Sequence, residues 1–130
     1  MLPEILFFAC LLSTVGALVG AVITGFAARR KQHFCFVGAA VLFLVLSIWA
    51  ALRLGEYYDL ESGGTITRVH LAISRYATGA YLLPVLTGIA TLRNPARRKF
   101  HRVAAFVAIA ITLVTAVTGT WMLIASERLS

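Results

Sequence analysis

The groups of this chain that could do chemistry are few. His33, His70 and His101 supply imidazole, Met122 supplies a thioether, and Arg75 sets a guanidinium inside an otherwise apolar run. Imidazole and thioether are axial ligands of haem iron, and arginine pairs in a planar fork with carboxylates, a propionate included. Other chemistries lack their parts. The sequence holds no phosphate-binding glycine loop, no paired carboxylates within an apolar run and no Ser-His-Asp arrangement. An electron-transfer or accessory subunit is therefore expected rather than a stand-alone enzyme.

The elements that must position these groups are four apolar runs at 5–28, 34–52, 69–92 and 103–125. Each is at or near the roughly 20 residues that cross about 30 Å of hydrocarbon. With 60% apolar and 13% charged residues in 130, the composition excludes an ordinary soluble domain. The connections are short, so the expectation is a single domain, 1–130, of the all-α integral membrane class: a four-transmembrane-helix up-down bundle. The first run begins with Glu4 and is followed by Arg29-Arg30-Lys31, the reverse of a signal peptide, and is read as a helix of the mature protein.

The net charge of +7 is unevenly placed. Arg29, Arg30 and Lys31 join runs one and two, and Arg93, Arg97, Arg98, Lys99 and Arg102 join runs three and four, while all five acidic residues fall on the opposite side. The Lys/Arg bias of cytoplasmic loops then puts both basic turns inside and both termini outside, in the inner (cytoplasmic) membrane. The basic excess reads as a topology signal in contact with anionic lipid, not as a nucleic-acid surface. Cys10 and Cys35 lie too far apart in depth for a disulfide bond and read as small core residues.

Helical spacing assigns each run a face. In run three, His70, Ser74, Thr78, Tyr81 and Gly88 share a stripe, with Arg68 and Arg75 nearly opposite. Pro84 should free a carbonyl near Ala80 and kink that helix. Small residues line Ala9, Ser13, Gly16, Gly20 and Ala27 in run one. Val37, Ala40, Leu44, Ser47 and Ala51 follow His33 along one side of run two, and His101, Ala105, Ala108, Thr112, Thr115 and Gly119 share a stripe of run four, with Met122 at its margin. Trp49, Tyr57 and Tyr58 suit the headgroup level. Gly63-Gly64 marks a turn in the outer connection. No internal repeat is expected.

Depth decides which groups can cooperate. His33 and His101 open runs two and four at matching depth and could take the two axial positions of one haem near the inner surface. Arg29, Arg30, Arg97, Arg98 or Arg102 would then meet its propionates. The competing reading makes both interfacial histidines of basic turns. His70 lies about 30 Å away at the outer end, where Met122 could complete a His-Met haem site or His70 alone could ligate haem or chlorophyll. Its alternative is a helix-end histidine bonded to Ser74 or to the outer loop. Arg75 should face a ligand carboxylate, an inturned Glu56, Asp59 or Glu61, Glu4 or Glu127, or another subunit, unless it snorkels to the surface.

The segment YLLPVLTGIATLR, the basic turn ending in RKFHR and the closing VTGTWML, behind a histidine that opens run three, resemble the small four-helix membrane cytochromes of the b type over about residues 70–123. The resemblance implies a haem-binding bundle with His70 and His101 as ligand candidates. The chain departs from the family pattern in offering the outer His70 no second histidine at its depth. Together these readings lead to a membrane electron-transfer protein holding haem b, within a larger redox complex. The alternative is a non-catalytic accessory subunit of a respiratory or photosynthetic complex, holding pigment, lipid or no cofactor. A small transporter is a weaker third reading, since no run carries a carboxylate in its interior.

Overall fold

The computed structural model describes residues 2–129; the two end positions of the expected 1–130 domain lie outside the described residues. Nearly all of the chain is helical, as α1 (Leu2–Phe26), α2 (Arg30–Leu54), α3 (Thr65–Ala80), α4 (Leu82–Arg93) and α5 (Arg98–Ala125). Two-residue strands, β1 (Tyr58–Asp59) and β2 (Glu127–Arg128), pair with each other. Three helices are long and apolar enough to cross a membrane, Leu2–Phe26, Arg30–Tyr57 and Pro95–Ala125. This is the make-up of a multi-pass membrane protein.

The third expected crossing, 69–92, is not one helix. Pro84 has no N–H to give the carbonyl of Ala80, and the helix is interrupted at Tyr81, between α3 and α4. The break falls where the proline places it.

The chain divides into two compact units, Met1–Tyr58 with Arg128–Ser130, and Asp59–Glu127. The first is the hairpin of α1 and α2. Its contact face is Cys10, Thr14, Ala17, Ala21 and Thr24 of α1 against Ala40, Ser47, Ala50 and Leu54 of α2. Small side chains let the backbones approach, so packing rather than bulk apolar burial holds the pair. Hydroxyls in this face are satisfied locally: Thr14 donates to the Cys10 carbonyl at 2.9 Å, Ser47 to Phe43 at 2.8 Å and Thr24 to Gly20 at 2.7 Å. This corrects the expected stripe of run one at Gly16, which is exposed and where a side chain would meet open space, while Gly20 of the same stripe does pack, under the Phe36 ring of α2. Period alone fixes the spacing of a face but not its phase when both sides of a helix are apolar.

In the second unit α3 and α4 run out and α5 returns along both. Thr67 and Ala77 of α3 are buried, as are Ala108, Thr112, Gly119 and Met122 of α5, whereas α4 buries no residue fully. The stripe expected for run four is thus the face that packs. In run three His70, Ser74, Tyr81 and Gly88 are partly covered, while Thr78 is exposed. Gly64, at φ 63°, makes the turn into α3, as the glycine pair suggested.

Laid beside each other, the two units disclose a repeat that the sequence reading missed. Ala28-Arg29-Arg30-Lys31-Gln32-His33 returns as Ala96-Arg97-Arg98-Lys99-Phe100-His101. In this register Leu18 matches Leu86, Gly20 matches Gly88, and the buried Ala40 matches the buried Ala108. The return helices begin at the matching residues Arg30 and Arg98. Each turn is closed in its own way. In the first, Ala28 takes φ 55° and Arg29 N–H bonds the Thr24 carbonyl at 3.0 Å, a left-handed helix stop. In the second, Asn94 Oδ1 accepts from Ala96 N–H at 3.0 Å and Pro95 opens a short 3-10 turn.

Candidate functional site

All three histidines lie in helices and pack onto the neighbouring helix of their own unit. His33 and His101 are each the fourth residue of a return helix, α2 and α5, about one turn inside rather than at its boundary. His33 Nδ1 lies 2.8 Å from the Ala21 carbonyl, which can only accept, so Nδ1 carries the proton. His101 Nδ1 lies 3.3 Å from Thr87 Oγ1, whose single proton goes to the Leu83 carbonyl at 2.7 Å. Here too Nδ1 is the donor. In both rings the lone pair is then on Nε2, the tautomer in which a backbone or side-chain acceptor orients a metal-ligating histidine. The basic residues before each ring, Arg29 and Arg30 or Arg97 and Arg98, supply the charge a propionate would need.

His70 sits differently. Its Nδ1 lies 3.1 Å from Thr118 Oγ1 of α5, and Ser74 Oγ, one turn on, lies 3.2 Å from Nε2. Thr118 gives its own proton to the Val114 carbonyl at 2.8 Å, so the ring donates to it through Nδ1, while Ser74 spends its proton on the His70 carbonyl at 2.8 Å. The bond to Ser74 is the helix-end alternative weighed from the sequence. Met122 is buried on α5 a turn beyond Thr118, near the expected level. The imidazole rests on Gly119, where a Cβ would stand only 2.8 Å from Cε1.

The other rings rest on glycine as well. A Cβ at Gly25 would lie 3.2 Å from His33 Nδ1, and one at Gly88 would lie 3.3 Å from His101 Cε1. The sequence reading found the histidines but not their glycine seats. Gly88 and Gly119 stand on the expected stripes of runs three and four, and Gly25 on none. The visible signal was a glycine on the facing helix at the level of each histidine.

Among the described residues Arg75 forms no ion pair with Glu4, Glu56, Asp59, Glu61 or Glu127. The ion pairs among the described residues join Arg53 to Glu56 at 3.4 Å and Arg128 to Glu4 at 3.5 Å. Arg75 is exposed on the same side of α3 as Arg68, Leu71 and Tyr76, the last 80% exposed. No three His, Cys, Asp or Glu side chains gather as a metal site among the described residues; an axial haem site needs one or two ligands and no such cluster. The two cysteines are free, Cys10 buried and Cys35 exposed. Searches for relatives return no matching family model, curated protein or solved structure.

Proposed function

We propose that this chain is a four-crossing protein of the cytoplasmic membrane, formed by α1, α2, α3 with α4, and α5, with both termini outside. It holds haem b, with His33 and His101 as ligand candidates each within its own hairpin, and passes electrons as a subunit of a larger redox complex. The observation that carries the reading is the shared state of these rings. Two copies of one turn each offer an imidazole whose Nδ1 is bonded back to its own hairpin, at 2.8 Å in His33 and 3.3 Å in His101, leaving Nε2 as the basic nitrogen. Bound haem b would supply a one-electron couple. The chain's own part is to fix the tautomer, to bring arginines to the propionates and to keep the ligands a turn below the helix start. The test is the absorption spectrum of the protein extracted in mild detergent with haem supplied. His33→Ala and His101→Ala should each reduce or shift the haem spectrum, and His70→Ala should leave it unchanged. Absence of any Soret band in the wild-type protein ends the proposal.

A second reading, an accessory subunit without a cofactor, is favoured by Arg75. A guanidinium exposed on a helix at membrane depth costs at least about 2.5 kcal/mol, and a carboxylate of a neighbouring subunit would relieve it. Under this reading no Soret band appears, and Arg75→Leu releases a co-purifying membrane protein.

A further inference from the structure

The two copies of the basic turn are alike in sequence, and the second borders a notch at the end of α4. It has a volume of about 380 Å³ and is lined by Leu86, Ile89, Ala90, Arg93, Asn94 and Arg97. That is within the span of about 300 to 1,000 Å³ typical of ligand sites. Its two ends differ in chemistry. Leu86, Ile89 and Ala90 form an apolar wall over the last turns of α4. Arg93, Asn94 and Arg97 form a polar rim where α4 gives way to the turn. The rim offers donors and positive charge only. Asn94 Oδ1 already accepts from Ala96 N–H at 3.0 Å, which leaves its NH₂ as the remaining polar group. No acidic residue occurs anywhere from Arg93 to Arg102.

The first turn shows what the second has acquired. In the register of the repeat, Arg93 and Asn94 stand where Gly25 and Phe26 stand in the first unit, and Gly25 is covered by the His33 ring. Arg29 remains as the counterpart of Arg97. One cation and one amide have therefore been added to the second turn, both on the rim of the notch and neither engaged in a described ion pair. A topology signal would not require this placement, since that bias depends on how many Lys and Arg a loop carries and not on a cavity beside them.

We infer that the notch binds an anionic phospholipid, with the phosphate held by Arg93 and Arg97, the Asn94 amide completing the rim, and an acyl chain along Leu86, Ile89 and Ala90. A free inorganic anion would use the rim and have no use for the wall. A zwitterionic lipid would use the wall and bring its own cation against two arginines. An anionic lipid alone satisfies both ends, and two planar guanidiniums suit a phosphodiester better than two ammonium groups would. The site uses no histidine and shares only Arg97 with the haem proposal; because lipid retention is read without haem and Arg93 belongs to the notch alone, the two fail separately.

Native mass spectrometry of the full chain in nonionic detergent tests it, with phosphatidylglycerol and phosphatidylcholine of the same acyl composition as probes. The wild-type protein should retain phosphatidylglycerol preferentially. Arg93→Gln with Arg97→Gln should weaken that retention by at least about tenfold, the weight of one charge-assisted hydrogen bond. Ile89→Glu, which puts a carboxylate into the wall, should weaken it as well. Arg29→Gln with Arg30→Gln in the twin turn should leave it unchanged, and a far-ultraviolet spectrum should show all variants equally helical. Equal retention of the two lipids overturns the inference. So does a loss in the twin-turn variant equal to that in the Arg93 and Arg97 variant, or displacement of the lipid by millimolar inorganic phosphate.

Discussion

At the scale of single residues, the histidine contacts are set by glycine. The His70 ring lies so near the Gly119 backbone that a methyl group there must push it away, by the 2.8 Å distance given above. Gly119→Ala is expected to displace His70 from Thr118 and to destabilise the α3–α5 contact by about 1–3 kcal/mol, as overpacking does. Thermal melts in detergent check the loss, and the His70 imidazole resonances check the displacement. A second residue carries backbone strain. Ala28 holds φ 55°, a conformation that costs a residue with a Cβ about 1–2 kcal/mol. Ala28→Gly should therefore raise the melting temperature, whereas Ala96→Gly, in a turn without positive φ, should not. The candidate histidines were legible in the sequence by type and position. Their tautomers were not, because the acceptors are a carbonyl on the preceding helix for His33 and a threonine one helix away for His101, and neither announces itself by spacing.

Among the elements, α1 and the α3–α4 segment show where sequence reading holds and where it fails. Every large apolar residue of α1 is as acceptable to lipid as to protein, so the pattern could not tell Gly16 from Ala17 as the contact position. Ala17→Leu or Ala21→Leu should separate α1 from α2, while Gly16→Leu should be tolerated; cysteine cross-linking efficiency between α1 and α2 distinguishes the two. If Gly16→Leu is the more damaging, the contact face is misassigned. The face of α5 was legible through Ala108, Thr112 and Gly119, whereas that of α2 held at Ala40 and Ser47 but drifted at its end, where Ala50 and Leu54 are buried and the expected Ala51 is exposed. The break at Tyr81 was legible because proline acts through a missing donor, which no tertiary context restores. Pro84→Ala should join α3 and α4 into one helix, seen as slower amide exchange over residues 80–84.

For the whole molecule, charge distribution makes the prediction. Reporter fusions after Lys31 and after Arg98 should both report the cytoplasm, and one after Gly63 the outside. An outside signal from either basic turn reverses the orientation. The repeat was present in plain view as ARRKQH and ARRKFH. It was passed over because the flanking segments share little beyond apolar character, and because one outgoing arm is a single helix and the other is broken. The broken arm also bears on how the chain is made. Among the described residues three helices are long and apolar enough to cross a membrane, whereas α3 and α4, with 16 and 12 residues, are each shorter than a crossing helix. A segment that pauses weakly in the insertion channel stays at its mouth until a stronger one follows, and here the strong follower is α5, whose face it matches. The second hairpin would then enter the bilayer as a pair after synthesis has passed Ala125, whereas α1 can commit as soon as it leaves the ribosome. A chain cut within α5 should leave α3 and α4 on the wrong side of the barrier, exposed to proteases that never reach them in the finished protein.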